Sequence, residues 1–138
     1  MKAINLMFFS LFSVLISCKR EQTVQVDTIY HTWEAKTFIS VESIAYPKNE
    51  NTPILLTFKK DGTYSLKLDI NSCGGRFKAI NSHQIEIEIP ACTEAWCDSR
   101  FSNKLAVTLA KVNSFSIKGH RLLLNVPQWG FLEFKLVE

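Results

Sequence analysis

Short runs of alternating side chains, each closed by a turn signal, constrain this chain more than anything else in it. Over residues 63–70, Tyr64, Leu66, Leu68 and Ile70 point one way and Ser65, Lys67 and Asp69 the other. Over residues 84–89, Ile85, Ile87 and Ile89 oppose Glu86 and Glu88. A period of two belongs to a strand with one buried and one solvated face. Asp61-Gly62 precedes the first run and is the favoured pair for a two-residue turn, so residues 54–60 and 63–70 read as a hairpin. Pro90 ends the second run by removing a ladder donor. A strand is expected within residues 33–43, before a loop over residues 46–53. The pattern breaks at Asn71-Ser72-Cys73-Gly74-Gly75, with a short strand resuming over residues 76–80. Later strands carry Phe115 and Ile117, then Leu122, Leu124 and Val126, then Leu132, Phe134 and Leu136. Gly119-His120 and Pro127-Gln128-Trp129-Gly130 turn between them.

One segment has a different period. Phe101, Leu105, Leu109 and Val112 recur at helical spacing, widened by Ala106, behind a potential capping carboxylate at Asp98. This predicts an amphipathic helix over about residues 98–112. Strands and helix do not alternate, which argues against a parallel sheet. The expected fold is α+β but mostly β. Seven or eight short antiparallel strands form a curled sheet or partly closed barrel, with one helix packed on it or plugging one end.

The first residues read as an address. Lys2 precedes a largely apolar stretch over residues 4–16, which spans about 20 Å as a helix at roughly 1.5 Å per residue. A hydrocarbon core needs about 20 apolar residues, so the stretch has the proportions of a signal sequence rather than of a membrane span. Leu15-Ile16-Ser17-Cys18 reads as a lipobox. The expected organisation is a lipoprotein signal over residues 1–17, a lipidated Cys18 with a polar tether over residues 18–28, and one domain over residues 29–138. Several acyl chains, at ~0.8 kcal/mol per buried CH₂, would anchor the chain firmly. Lys19 and Arg20 could add a modest attraction to anionic headgroups. The segment resembles the signal of Gram-negative lipoproteins, and since no Asp follows Cys18 that resemblance implies transfer to the outer membrane; the leaflet is left open.

With Cys18 acylated, Cys73, Cys92 and Cys97 remain in an oxidising compartment where disulfides persist. Three single pairings are open. Cys73–Cys97 would tie the sheet to the start of the helix, closing a loop worth about 3.5 kcal/mol by chain entropy; it is the expected disulfide. Cys92–Cys97 would close only a small loop. Cys73, Cys92, Cys97 and His83 could instead form a zinc set, but the usual closely spaced ligand pairs are missing, and no metal or other cofactor is expected.

Few other residues suggest chemistry. Glu86 and Glu88 share a strand face and read as solvated, since the Ile partners already define the core side. His31, His83 and His120 lie far apart, mostly in turns. No nucleophile elbow, zinc-protease helix, phosphate loop or dinucleotide fingerprint occurs, so no catalytic residue is assigned and a non-enzymatic protein is expected. Apolar residues make up 46% and charged residues 21%, ordinary values for a soluble domain, which excludes disorder. The net charge of +3 is small and scattered along the chain, so no nucleic-acid partner is expected. Trp96, beside Cys97, and Trp129, in a turn, are the candidate contacts for a partner or ligand.

The body of the chain resembles the META domain of the HslJ-type bacterial heat-shock lipoproteins. The resemblance rests on Asp61-Gly62-Thr63-Tyr64, on Cys73 with its glycines and Phe77, and on Thr93-Glu94-Ala95-Trp96-Cys97. It continues through Phe101 and Leu105, Phe115-Ser116-Ile117-Lys118-Gly119, Leu122 and Leu124, and Phe131-Leu132-Glu133-Phe134. Departures are Gly74 where the family usually has Asn, Lys78 and Ala79 where it has Gly, and an extra Cys92. The resemblance implies a compact β-rich fold with one helix and favours pairing Cys73 with Cys97. It implies no catalytic residues, and links the chain to envelope stress. The function expected is that of a lipid-anchored envelope protein, attached to the membrane and binding another protein or an envelope component. The alternatives are a small ligand at the barrel mouth and inhibition of an envelope hydrolase.

Overall fold

The computed structural model describes residues 28–95 and 97–137. Their strands are β1 (Thr32–Ser40), β2 (Leu55–Phe58), β3 (Thr63–Lys67), β4 (Ser72–Ala79), β5 (Ile85–Ile87), β6 (Ala91–Cys92), β7 (Ser114–Lys118), β8 (Arg121–Val126) and β9 (Gly130–Leu136). One helix, α1 (Arg100–Leu109), lies between β6 and β7. The sheet runs β5-β4-β3-β2-β1-β9-β8-β7, with β6 added to β4. Every strand pair is antiparallel. Its outer strands meet at the bridge between Gln84 and Ser114, where Ile85 N donates to Asn113 O and Phe115 N to His83 O. The result is a nearly closed barrel, the mostly-β fold that the alternation and turn signals predict.

Within the strands the alternation decides what is inside, but Ile70 and Ile89, expected on the inward side, are exposed because β3 ends at Lys67 and β5 at Ile87. Tyr64 and Leu66, Ile85 and Ile87, Leu122 and Leu124, and Leu132 and Phe134 are all buried. Trp33 is fully buried, and its indole N–H donates to Ile29 O at 2.9 Å, pinning the chain just before β1. Leu105 and Leu109 of α1 are fully buried in the same cluster. The barrel interior is therefore filled by side chains, not left as a pore.

Two local readings are corrected. The expected break at Cys73-Gly74-Gly75 is part of β4. Tyr64 needs the second of those glycines: its ring lies so close over Gly75 that a Cβ there would sit 2.8 Å from the ring carbon Cε1. Its hydroxyl then donates to Glu88 O at 2.8 Å. Burial pushes that hydroxyl's pKa up to about 12, so it remains a donor. The second correction concerns the cap. Ser99, not Asp98, caps α1, its hydroxyl accepting from Ser102 N, and the helix ends at Leu109 rather than near residue 112. Asp98 is engaged elsewhere, as described below.

The barrel has two unlike ends. The described chain starts at Thr28 near the first residues of β1. Around them lie the β2–β3 turn, the β7–β8 turn and the end of β9, joined by Phe58 N to His31 O, Leu136 N to His120 O and Val137 N to Thr32 O. At the other end of β1, about 30 Å away at ~3.3 Å per residue, α1 lies across the barrel.

Candidate functional site

The helix end holds two connected clusters. The first is aromatic and charged. Phe38, near the end of β1, stacks on Phe101 of α1 with ring centroids 4.3 Å apart. Tyr46 and Trp129 meet Phe38 edge-on from the β1–β2 loop and the β8–β9 turn. Lys104 of α1 places its Nζ 5.1 Å from both the Tyr46 and the Trp129 ring centroids and 2.8 Å from Glu42 Oε1. Tyr46 Oη donates to Glu42 Oε2 at 2.7 Å. The cluster is thus an aromatic cage around a cation, and the cation is the chain's own lysine. The buried Trp129 indole N–H faces the same carboxylate without a formed hydrogen bond.

Exposed apolar side chains lie on the same segments as this cage. Ile39 lies directly opposite Phe131 across β1 and β9. Val41 N donates to Trp129 O, fixing the chain beyond β1 against the turn. Ile39, Val41, Ile44 and Phe131 are 45, 77, 54 and 39% exposed. Clefts of about 320 and 400 Å³ flank the cage, the first lined by Ile44, Tyr46 and Phe101, the second by Lys111, Gln128 and Trp129.

The second cluster is polar and sits at the start of α1. Asn71 is buried at the end of the β3–β4 turn. Its Oδ1 accepts from Thr93 Oγ1 and Ala95 N, and its Nδ2 donates to Asp98 Oδ2 at 2.7 Å. Asp98 Oδ1 accepts from the Ile70 and Asn71 amides. Asp69 Oδ2 accepts from Ser102 Oγ at 2.6 Å and Ser99 N at 3.0 Å. Burial opposes ionisation of Asp69, but these donors outweigh it and hold the carboxyl below its usual range. A cleft of about 590 Å³ opens beside the cluster, with Cys92, Thr93, Cys97 and Asn103 on its walls.

Comparison with known proteins places this architecture. The META domain family model matches residues 25–136. The chain belongs to the META domain family. No curated protein matches it. Among solved structures it is similar to the NMR structure of a protein from Burkholderia xenovorans. The TM-score is 0.65 at 13% identity, covering 78% of this chain and 82% of that one. It is also similar to a crystal structure of a duf4847 family protein from Bacteroides vulgatus, with a TM-score of 0.59 at 16% identity over 78% and 92% of the two chains. At these identities the likeness shows the fold alone.

The META domain separates the residues expected to form its sites. The expected Cys73–Cys97 disulfide is overturned: Cys73 pairs with Cys92, and Cys97 is an exposed free thiol. Cys73 and Cys92 are direct partners in the β4–β6 register, while the intervening loop is held by Asn71 at Ala95. The two-residue strand β6 follows Pro90 and is too short to show a period, so the sequence carried no signal for it. The disulfide also removes Cys73 and Cys92 as zinc ligands. No group of three or more His, Cys, Asp or Glu among the described residues could hold a metal. Glu86 and Glu88 are exposed, as expected. Trp129 is half-buried in the cage, so it is a site residue through its ring face. Trp96 and Cys18 lie outside the described residues. The sequence reading missed Phe38, Glu42, Tyr46 and Lys104. They come from a strand end, a loop and a helix, and no spacing relates them.

The cage makes a prediction about acid. Bonds from Lys104 first, then Tyr46, pull the Glu42 carboxyl from 4.5 down to about 2. A folded-state pKa below the unfolded value gives stability that is fully present above about 4.5 and lost as pH falls toward 2. The difference in melting temperature between wild type and Glu42→Gln is expected to shrink across that window. An unchanging gap would show that the carboxylate is not held by the cage.

Proposed function

We propose that this META domain is a non-enzymatic, lipid-anchored domain of the cell envelope that holds a protein partner at its helix end. The observation that carries the reading is the set of exposed apolar side chains Ile39, Val41, Ile44 and Phe131 on the segments that carry the Tyr46–Lys104–Trp129 cage, at the end of the barrel away from Thr28. Exposed apolar side chains at one end, next to aromatic and cationic groups, have the make-up of an interface centre. A tether from Cys18 would reach the barrel at its opposite end and leave this set facing outward. No helix among the described residues is long and apolar enough to cross a membrane, so the anchor reading rests on Cys18 and its lipobox. The family resemblance adds outer-membrane attachment and a part in envelope stress to the same reading. A small ligand inside the barrel is less well supported, because α1 covers the mouth it would enter and Trp33, Leu56 and Leu132 fill the space behind.

In-cell photo-crosslinking tests this. A crosslinker at Val41 or Phe131 is expected to capture one discrete protein, and a crosslinker at Lys60, at the opposite end, is not. Ile44→Asp should reduce capture from Val41 about thirtyfold, the size of one interface hot spot, without changing the melting temperature. Equal capture at both ends, or turnover of a substrate by the purified domain, would overturn the proposal.

A further inference from the structure

Charges that are scattered in the sequence converge at the end of the barrel where the described chain begins. Lys118, Arg121 and Lys135 form one row: Lys118 is the cross-strand partner of Arg121, and Arg121 of Lys135. All three are exposed. Direct cross-strand neighbours project from the same face, and like charges there repel. Lys59 and Lys60 project from the neighbouring β2–β3 turn. The acids nearby are already engaged: Glu133 binds Arg121 Nε, Glu34, directly opposite Lys135, binds Lys36 and Lys48, and Asp61 accepts from Thr63. No ion pair relieves Lys59, Lys60, Lys118 or Lys135 among the described residues. Tyr30 and Val137 add partly exposed apolar groups, at 37 and 42%. At the helix end, by contrast, Glu42, Asp69 and Asp98 sit among Arg100, Lys104 and Lys111, and no such surplus forms.

We propose that this basic end docks on a bilayer surface carrying anionic phospholipid headgroups, so that the barrel stands on the membrane with its helix end outward. The inference deepens the anchored-domain reading and rests on it, because the tether delivers this end to the bilayer. A repelling row of cations is stabilised when lipid phosphates neutralise it. Each basic residue brought to such a surface strengthens contact about fivefold, within a Debye length of roughly 8 Å. Acylation alone would leave the barrel free to tumble; the basic row sets its orientation.

The test is amine footprinting of the full chain on two kinds of vesicle, phosphatidylcholine alone and phosphatidylcholine with phosphatidylglycerol. Labelling of Lys59, Lys60, Lys118 and Lys135 is expected to slow at least fivefold on the anionic vesicles and to recover at about 1 M salt. Lys111, exposed at the helix end, should label equally on both. The triple variant Lys118→Gln, Arg121→Gln, Lys135→Gln should abolish the protection of Lys59 and Lys60. Equal labelling on both vesicles would overturn the proposal, as would equal protection by inorganic polyphosphate without vesicles. The anchor reading fails separately: a chain left in the supernatant of phosphatidylcholine vesicles has no working anchor, whatever its footprint on anionic ones.

Discussion

Serine at both Cys92 and Cys97 is expected to lower the unfolding free energy by about 3 kcal/mol relative to serine at Cys97 alone. The single Cys97→Ser change is expected to leave stability where it is. The Cys73–Cys92 bridge spans 19 residues, and a loop of that length restricts the unfolded chain by about this amount. The expected alternative, Cys73–Cys97, would have stabilised by nearly as much, so magnitude does not distinguish the pairings; which thiol is free in the native protein does. Cys92→Ser alone is a poor test, because it leaves Cys73 free to pair with Cys97. Urea unfolding under non-reducing conditions reads all three states. Alkylation of Cys92 rather than Cys97 in the native protein would sink the structural assignment. In native protein, alkylation is expected at Cys97 among Cys73, Cys92 and Cys97, since the other two are bonded.

Gly130→Ala is expected to cost at least about 3 kcal/mol, seen as a fall in melting temperature of about 10 °C or more. Gly130 sits at φ 142°, a conformation rarely open to residues with a side chain. An added Cβ would overlap the Ile39 carbonyl oxygen and lie 2.8 Å from Ser40 Cα, so backbone itself must move. The contact falls where β1 and β9 pair at the helix end. The damage should therefore spread to the hydrogen bond between Val41 N and Trp129 O, and loosen the cage. Gly119→Ala is the control. Gly119 also has a positive φ, of 58°, but nothing lies within 4 Å of its added Cβ. That change should cost only about 1–2 kcal/mol, the penalty for a left-handed residue. Equal losses at the two positions would mean that the tight approach of β1 to Gly130 is absent in solution.

Much of the barrel was legible because its strands are local patterns. Tyr64, Leu66 and Leu68 announce a buried face by spacing alone, and Asp61-Gly62 announces the turn that pairs β3 with β2. The helical stripe of Phe101, Leu105 and Leu109 was equally plain. What failed was where contact, not period, decides. Gly74 and Gly75 looked like an interruption, but they belong to a strand, thinned at Gly75 to admit the Tyr64 ring. Asp98 looked like a cap, but the Ile70 and Asn71 amides claim its carboxylate.

The candidate surfaces were less legible than the fold, for the same reason. Trp129 was singled out by its place in a turn, yet its partners Lys104 and Glu42 come from distant parts of the chain. The lysines of the basic end are ordinary residues in sequence and become a row only when β7, β8 and β9 fall into register. The amino-acid sequence by itself determined the period of each element, and with it which side chains are inside as far as the strand runs; where β3 and β5 stop, leaving Ile70 and Ile89 exposed, it did not determine. Only the tertiary structure decided which sulfur meets Cys73, which cation fills the aromatic cage and which end of the barrel is basic. Those are meetings between residues far apart in the chain, set by strand register and by the closing of the sheet.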